Sequence, residues 1–145
     1  MRILLLAAGL ALFLSAAAPP LATAAPPAVK SEVQILAKPG QKIPLGTTHY
    51  FSYGFTKPPK LGTAIMRVEI FTTSGERDMS FVVKGDADMP SMRGAHASGD
   101  KDFARSAKGM YLLPVRLVMP GDWEVTLTFI REGKTVLHGA YLFDL

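Results

Sequence analysis

From residue 33 onward, apolar and polar residues alternate in short runs that are separated by turn residues. The alternation has a period of two, which is typical of β-strands that bury one face. No long stretch shows the apolar spacing of three and four residues that marks an amphipathic helix. The pattern therefore predicts an all-β domain.

The alternating runs give the predicted strands and their connections. A first short strand includes Val33 and Ile35. Pro120 and Gly121 predict a type II turn, because proline fixes φ and glycine accepts a positive φ. About seven or eight short strands with mostly tight connections are typical of an immunoglobulin-like antiparallel β-sandwich. The later predicted strands are centred on residues 51–55, 64–70, 79–83, 111–117, 123–129 and 135–143.

The N-terminus predicts a secretory signal peptide. Arg2 supplies a positive charge, residues 3–18 are almost entirely apolar or small, and residues 22–24 have the small-x-small form of a cleavage site. An uncleaved anchor is the competing interpretation, but the apolar run is shorter than the about 20 residues that a membrane span needs. We expect a periplasmic or secreted protein without a permanent anchor. Its predicted organisation is a signal peptide at residues 1–24, a flexible lead-in at residues 25–30 and the β-sandwich at residues 31–145.

Composition narrows the possible chemistry. The formal net charge is only +4 over 145 residues, which argues against a strongly basic nucleic-acid binder. The chain contains no cysteine, which excludes disulfides, thiolate zinc sites and cysteine nucleophiles. The sequence has no G-x-S-x-G, H-E-x-x-H or phosphate-cradling glycine motif, so we expect a protein that is not an enzyme.

One predicted connection, residues 85–101, is long and shows no strand periodicity, and loops of this kind are usually functional or disordered. It contains Met89, Met92 and His96 in the spacing Met-x-x-Met-x-x-x-His. Thioether sulfur is a soft donor that favours Cu(I), and imidazole completes a copper site without a thiolate. The loop therefore predicts a copper site, with Cu(I) as the expected ion. The competing interpretation is a flexible lid whose methionines close the end of the sandwich.

Strand direction extends this set to Met119. Antiparallel neighbours alternate in direction, so the connections sort between the two ends of the sandwich. If residues 103–106 form a separate short strand, Met119 lies at the end that carries the methionine loop, whereas a single strand over residues 103–118 would place it at the other end. The same count puts His49 and His138 near the opposite end. The predicted metal ligands are Met89, Met92, His96 and Met119.

Residues 85–125 resemble the YtkA-like domain family, which includes FixH-type proteins. The resemblance rests on three segments, Met89-Pro90-Ser91-Met92, Gly109-Met110-Tyr111 and Met119-Pro120-Gly121-Asp122-Trp123. It implies an extracytoplasmic immunoglobulin-like sandwich with a role in copper handling or in assembly of copper-dependent respiratory oxidases. By position the resemblance singles out Met89, Met92 and Met119, whereas His96 is supported by its spacing alone. The chain departs from the FixH type because it has no convincing permanent anchor.

The sequence therefore favours an accessory protein that binds copper through a Met/His loop and passes it to, or shields, another envelope protein. The alternative is a metal-free envelope interaction module that uses the Met-rich loop as an adaptable contact surface. A third interpretation is attachment to membrane phosphates through the surplus of Lys and Arg, which would weaken with salt.

Overall fold

The computed structural model describes residues 32–145, and the predicted signal peptide and lead-in lie outside the described residues. Within residues 32–145, no helix has the length and apolar character needed to cross a membrane. A single turn of 3₁₀ helix spans Pro90–Met92. The strands, in chain order, are β1 (Gln34–Ile35), β2 (Ile43–Leu45), β3 (His49–Phe55), β4 (Gly62–Thr72), β5 (Val82–Asp88), β6 (Lys101–Asp102), β7 (Ala104–Arg105), β8 (Tyr111–Leu117), β9 (Asp122–Arg131) and β10 (Lys134–Asp144).

These strands form two five-stranded sheets with the connectivity of an immunoglobulin-type sandwich. Sheet A has the order β1-β10-β9-β5-β6, and sheet B has the order β2-β3-β4-β8-β7. Strands β3-β4-β8-β7 correspond to an A-B-E-D sheet, and β10-β9-β5 correspond to a G-F-C sheet. Neighbours pair antiparallel except β1, which runs parallel to β10. The predicted all-β sandwich is confirmed.

One apolar core lies between the sheets. In β9, Trp123, Val125, Leu127 and Phe129 are buried while the residues between them are partly exposed, as a strand with one buried face requires. The same alternation along β8 supplies the facing layer from sheet B. Trp123 is a core aromatic residue with no exposed surface. The period-two pattern therefore identified the elements that build the core.

β5 extends further than apolar alternation predicts. The pairing of β5 with β9 continues from Gly85 through Asp88, so the loop starts at Met89 and the predicted loop start at residue 85 is wrong. The inward positions in this part of the strand are Gly85 and Ala87, and the ring of Phe103 occupies the space over Gly85. Small residues at the inward positions, with aspartates alternating with them, give a strand without apolar alternation.

Three other details differ from the sequence prediction. The three-residue strand β2 was not predicted because Pro44 interrupts its short apolar pattern. β5 begins at Val82 instead of residue 79, since the Asp78 carboxylate accepts the Ser80 N–H (2.7 Å) and turns the chain before the strand. Gly121 has the predicted positive φ (135°), but its backbone exchanges two hydrogen bonds with Leu145 (3.1 and 3.0 Å) and the link is a bend.

Gly85 is a packing position that offers a test of the sandwich. A Cβ at this residue would lie 2.8 Å from Phe103 and 2.9 Å from Leu113, so the Gly85→Ala substitution overpacks the core. We expect it to lower the free energy of unfolding by about 1–3 kcal/mol in urea denaturation. Gly54→Ala is the control, because the added Cβ would approach its nearest neighbour, Pro39, only to 3.4 Å. Equal losses in the two variants would contradict the packing described for Gly85.

Candidate metal-binding site

Strand directions bring the predicted ligands to one end of the sandwich. β5 and β9 are antiparallel, so the loop that leaves β5 lies beside the link that enters β9. β7 is a separate strand that pairs antiparallel with β8, which selects the predicted alternative with Met119 at this end. We call residues 89–100 together with residues 118–121 the methionine end.

Trp123 lies at the centre of the methionine end. Its indole N–H donates to the carbonyl oxygen of Met119 (3.1 Å), which satisfies a polar group whose ring is otherwise fully buried. The imidazole of His96 lies beside the Trp123 indole, and the two ring centroids are 6.4 Å apart. Met119 is partly buried and packs against the core. His96 and Met119 are therefore neighbours of one buried aromatic side chain.

The two loop methionines occupy different environments. Met89 is only 2% exposed and belongs to the core, where its methyl group packs against Gly121 so closely that a Cβ there would approach within 2.9 Å. Met92 is 43% exposed. The backbone still couples them, because Met92 N–H donates to the Met89 carbonyl (2.9 Å) in the 3₁₀ turn. One thioether of the predicted pair thus lies inside the sandwich and the other at its surface.

The other two histidines lie away from this end. His49 begins β3 at the opposite end, where its Nε2 lies 2.7 Å from the Asp78 carboxylate and its ring edge meets Phe81. His138 lies on β10 and pairs with Thr128, in the half of β9 that is further from the methionine end. Neither is placed beside the predicted ligands.

Polar side chains hold the methionine loop against sheet A. The carboxylate of Asp88 accepts the N–H of Met89 with one oxygen and the N–H of Gly94 with the other, both at 2.9 Å. Further along the loop, Ser98 exchanges hydrogen bonds with the backbone of Ala87 (both 2.9 Å). The loop is therefore closed onto the end of β5 at two points.

A second set of contacts joins the loop to β9. Asp122 accepts hydrogen bonds from both the N–H (2.9 Å) and the hydroxyl of Ser91. Arg93 forms an ion pair with Glu124 at 2.5 Å. Asp122 and Glu124 are two residues apart on the outer face of β9, and their partners Ser91 and Arg93 are two residues apart in the loop. The loop therefore runs alongside the strand.

These contacts shift the ionisation of the groups involved. The hydrogen bond from Gly94 N–H, with further ones from backbone amides and the charge of Arg93, holds the pKa of Asp88 below its ordinary value despite some burial. The Ser91 hydroxyl does the same for the pKa of Asp122. The hydrogen bond and charge of Glu124 raise the pKa of Arg93. Asp88, Asp122 and Arg93 are therefore charged at neutral pH.

The tethering residues were not predicted from the sequence. Asp88, Ser91, Arg93, Asp122 and Glu124 look like ordinary surface residues when each is read with its local neighbours. The two contacts with β9, Ser91 with Asp122 and Arg93 with Glu124, share a separation of 31 residues between partners. These contacts can be predicted only when the register between β5 and β9 is known.

The donors at this end are soft. Among the described residues, no group of three or more His, Cys, Asp or Glu side chains has an arrangement that could hold a metal ion. The Asp88 oxygens already accept backbone N–H groups. Thioether and imidazole groups remain, and this set fits Cu(I) better than a hard cation or the usual zinc ligand sets.

Comparisons with known proteins bear on the fold. No family model matches the chain, and the comparison with curated proteins gives no match. Among solved structures, the chain is similar to FetP of uropathogenic E. coli strain F11, a protein that was expressed recombinantly in the periplasm of E. coli. The TM-score is 0.50 at 10% identity, covering 74% of this chain and 93% of FetP. At this identity the likeness concerns the β-sandwich alone.

The Asp88 tether gives a test of how the loop is held. We expect Asp88→Asn to speed amide exchange at Gly94 about tenfold, because an amide side chain can no longer accept at both positions. Asp100→Asn, an exposed change in the same loop, is the control and should leave Gly94 exchange unaltered.

Acid should have the same effect on the unaltered protein. The folded-state pKa of Asp88 is lowered, so the tether is complete above the ordinary pKa of 3.8 and is lost as the pH falls through the lowered value. Hydrogen exchange corrected for its intrinsic pH dependence measures this loss. If Gly94 exchanges equally fast at neutral pH in the native chain, in Asp88→Asn and in Asp100→Asn, the proposed tether is wrong.

Proposed function

We propose that this protein is an extracytoplasmic copper-binding accessory protein that holds Cu(I) at the methionine end. The proposed ligands are Met89, Met92, His96 and Met119. The observation that carries this proposal is the convergence of the loop and Met119 around Trp123, which follows from the strand order. Two distant parts of the sequence thereby bring soft donors to one end of the fold.

The ligand environments suit a site that binds and releases its ion. Met89 and Met119 pack against the core and would supply the inner, water-poor side of the site. His96 is partly buried beside Trp123, and Met92 lies further out with 43% of its surface exposed. An exposed neutral thioether is open to exchange with a ligand from another protein. We therefore propose transfer of the ion to, or shielding of it for, a second envelope protein.

The tethers support the proposal because they order the loop backbone without using the soft donors. The contacts of Asp88 with Gly94, and of Arg93 with Glu124, fix the segment between them. A loop that is already ordered loses less conformational freedom when it binds an ion. The tethers thus favour a preorganised site.

Location and partner form part of the same proposal. The predicted signal peptide and the resemblance to YtkA-like domains support a periplasmic or secreted protein, and the fold shared with FetP agrees with that assignment. The resemblance also supports a link to the assembly of copper-dependent respiratory oxidases. We propose a binding role without catalysis, because the sequence carries no G-x-S-x-G, H-E-x-x-H or phosphate-cradling glycine motif.

A metal-free interaction module is the second candidate, and the burial of Met89 favours it. A methionine that is 2% exposed already has a role as a core side chain, and it anchors a loop whose outer residue Met92 offers an apolar contact. Leucine retains that apolar character but loses the thioether. A contact surface should therefore survive Met89→Leu and Met92→Leu, whereas a copper site should not.

Competition for Cu(I) separates the two functions. In anaerobic, reducing buffer with a chromophoric chelator, we expect the native protein to withdraw Cu(I) and a triple variant, Met89→Leu, Met92→Leu and His96→Ala, to lose at least about tenfold in affinity. Leucine conserves volume at the buried position, so the variant should remain folded.

The control carries the same three types of change away from the methionine end: Met79→Leu, Met110→Leu and His138→Ala. It should compete as the native protein does. If the control and the triple variant compete equally, or if the native protein does not compete, the proposed copper site is wrong. Loss of competition confined to the triple variant makes Met119→Leu the next test.

Trp123 provides an independent signal, because it is the only tryptophan of the chain. Ag(I) is a soft cation with the same preference for thioether donors and stays in one oxidation state in air. We expect saturable quenching of Trp123 emission by Ag(I), since His96 and Met119 adjoin the indole. The quenching should be weak in the triple variant and normal in the control, and equal quenching in all three would place the ion elsewhere.

A further inference from the structure

The loop between β3 and β4 brings exposed lysines to the methionine end. β4 begins at Gly62, which pairs with Leu117 at the end of β8. β8 continues directly into the link that carries Met119, so the loop before Gly62 lies at the same end of the sandwich. Both lysines of this loop, Lys57 and Lys60, are exposed. Sheet B thus contributes positive charge beside the proposed copper ligands.

A cleft of about 220 Å³ lies between this loop and β4. Lys57 and Lys60 line it, together with Thr56 and Thr63. The N–H of Thr56 donates to the carbonyl of Ile65 (2.9 Å), which fixes the start of the loop against β4. Ammonium and hydroxyl groups are hydrogen-bond donors, and a charged donor binds a carboxylate more strongly than a neutral one does. The cleft therefore fits an acidic side chain.

Two exposed apolar side chains and a third cation lie next to the cleft. β4 and β8 are paired as far as Gly62 and Leu117, so Leu61 and Val118 both come one residue beyond that pair. Leu61 is 54% exposed and Val118 is 49% exposed. Arg116, on β8, is exposed as well. We call residues 56–63 together with residues 116–118 the basic surface.

All charged side chains of the basic surface are cations. Its residues include Lys57, Lys60 and Arg116 but no aspartate or glutamate. None of the ion pairs between described residues involves these three cations. The carboxylates of the methionine end instead lie on sheet A and its loop, at Asp86, Asp88, Asp100, Asp122 and Glu124. Charge complementarity therefore directs an acidic partner to the sheet B side of this end.

We propose that the basic surface is the docking site of an acidic protein partner. Carboxylates of the partner would meet the three cations, and its apolar side chains would cover Leu61 and Val118. Apolar contacts bordered by complementary charges are typical of protein interfaces. Val118 adjoins Met119 in the chain, so the docked partner lies beside the proposed copper ligands. The inference rests on the proposed function, since it names the class of protein that would receive the ion.

An anionic membrane also attracts cations, but the basic surface suits a membrane less well. Recognition of anionic lipid generally needs a cluster of about four to eight Lys and Arg residues, or an apolar insertion in addition to the charge. The basic surface has three cations, two exposed aliphatic side chains and no aromatic residue. A cleft between two lysines is instead shaped for a single side chain.

Titration with an acidic peptide tests the docking site. In copper-free buffer of low salt, we expect hexaglutamate to shift the amide NMR signals of the isotope-labelled protein at the basic surface, and added salt to weaken binding. The charge reversal Lys57→Glu/Lys60→Glu should raise the dissociation constant at least about threefold, because each change replaces an attraction with a repulsion. Thermal melting checks that the variant remains folded.

The control reverses two other exposed lysines, Lys108→Glu/Lys134→Glu. Lys108 precedes β8 and Lys134 begins β10, so both lie at the opposite end of the sandwich. This variant has the same net charge as Lys57→Glu/Lys60→Glu and should bind hexaglutamate nearly as the native protein does. The comparison separates a local docking site from general attraction to a basic protein.

Cu(I) competition separates this inference from the proposed function. Lys57→Glu/Lys60→Glu should lose peptide binding and compete for Cu(I) as the native protein does. The triple variant Met89→Leu, Met92→Leu and His96→Ala should show the reverse. If the native protein binds hexaglutamate at the basic surface but does not compete for Cu(I), the docking site stands and the copper site is wrong.

The peptide titration has distinct outcomes. Signal shifts that are confined to the basic surface, that Lys57→Glu/Lys60→Glu removes and that the control keeps support the proposal. Equal weakening in both double variants, shifts spread over other cations, or no peptide binding overturns it. Binding to phosphatidylglycerol vesicles that depends on Lys57 and Lys60, without peptide binding, also overturns it and assigns the surface to a membrane.

Discussion

The indole N–H of Trp123 imposes the constraint on which the methionine end depends. A fully buried N–H must find an acceptor, and the Met119 carbonyl supplies it at 3.1 Å. The link between β8 and β9 therefore bends across the end of the sandwich, with Gly121 at a positive φ. The missing side chain at Gly121 leaves room for the methyl group of Met89. Core packing and loop position are thus parts of one arrangement.

Most of the fold follows from alternation, and its failures have physical reasons. β8 and β9 are clear in the sequence because each buries one face against the opposite sheet. The end of β5 cannot be recognised from the sequence pattern, because Phe103, from a later part of the chain, fills the space that a larger residue at Gly85 would otherwise occupy. Alternation reports what a strand contributes to the core itself. It does not show where a side chain from another segment, such as Phe103, fills the core over a strand.

The candidate site also has features that the sequence predicts and features that it does not. Loop spacing and strand parity were enough to place Met89, Met92, His96 and Met119 at one end, because parity depends only on the order of antiparallel strands. The contrast between a buried Met89 and an exposed Met92 could not be predicted, since both lie in a segment without periodicity. The tethers were equally hidden, because they depend on the register between strands that are far apart in sequence.

The two ends of the sandwich use their polar groups differently, and the difference bears on function. At the opposite end, His49 and Asp78 meet within the fold and contribute to closing the core. At the methionine end, Arg93 and Glu124 meet on the outer face of sheet A, outside the core. A loop that is held by charged and hydrogen-bonding groups does not need its outer methionine for packing. Met92 can therefore remain exposed on an ordered backbone, which is the condition that a soft, exchangeable ligand requires.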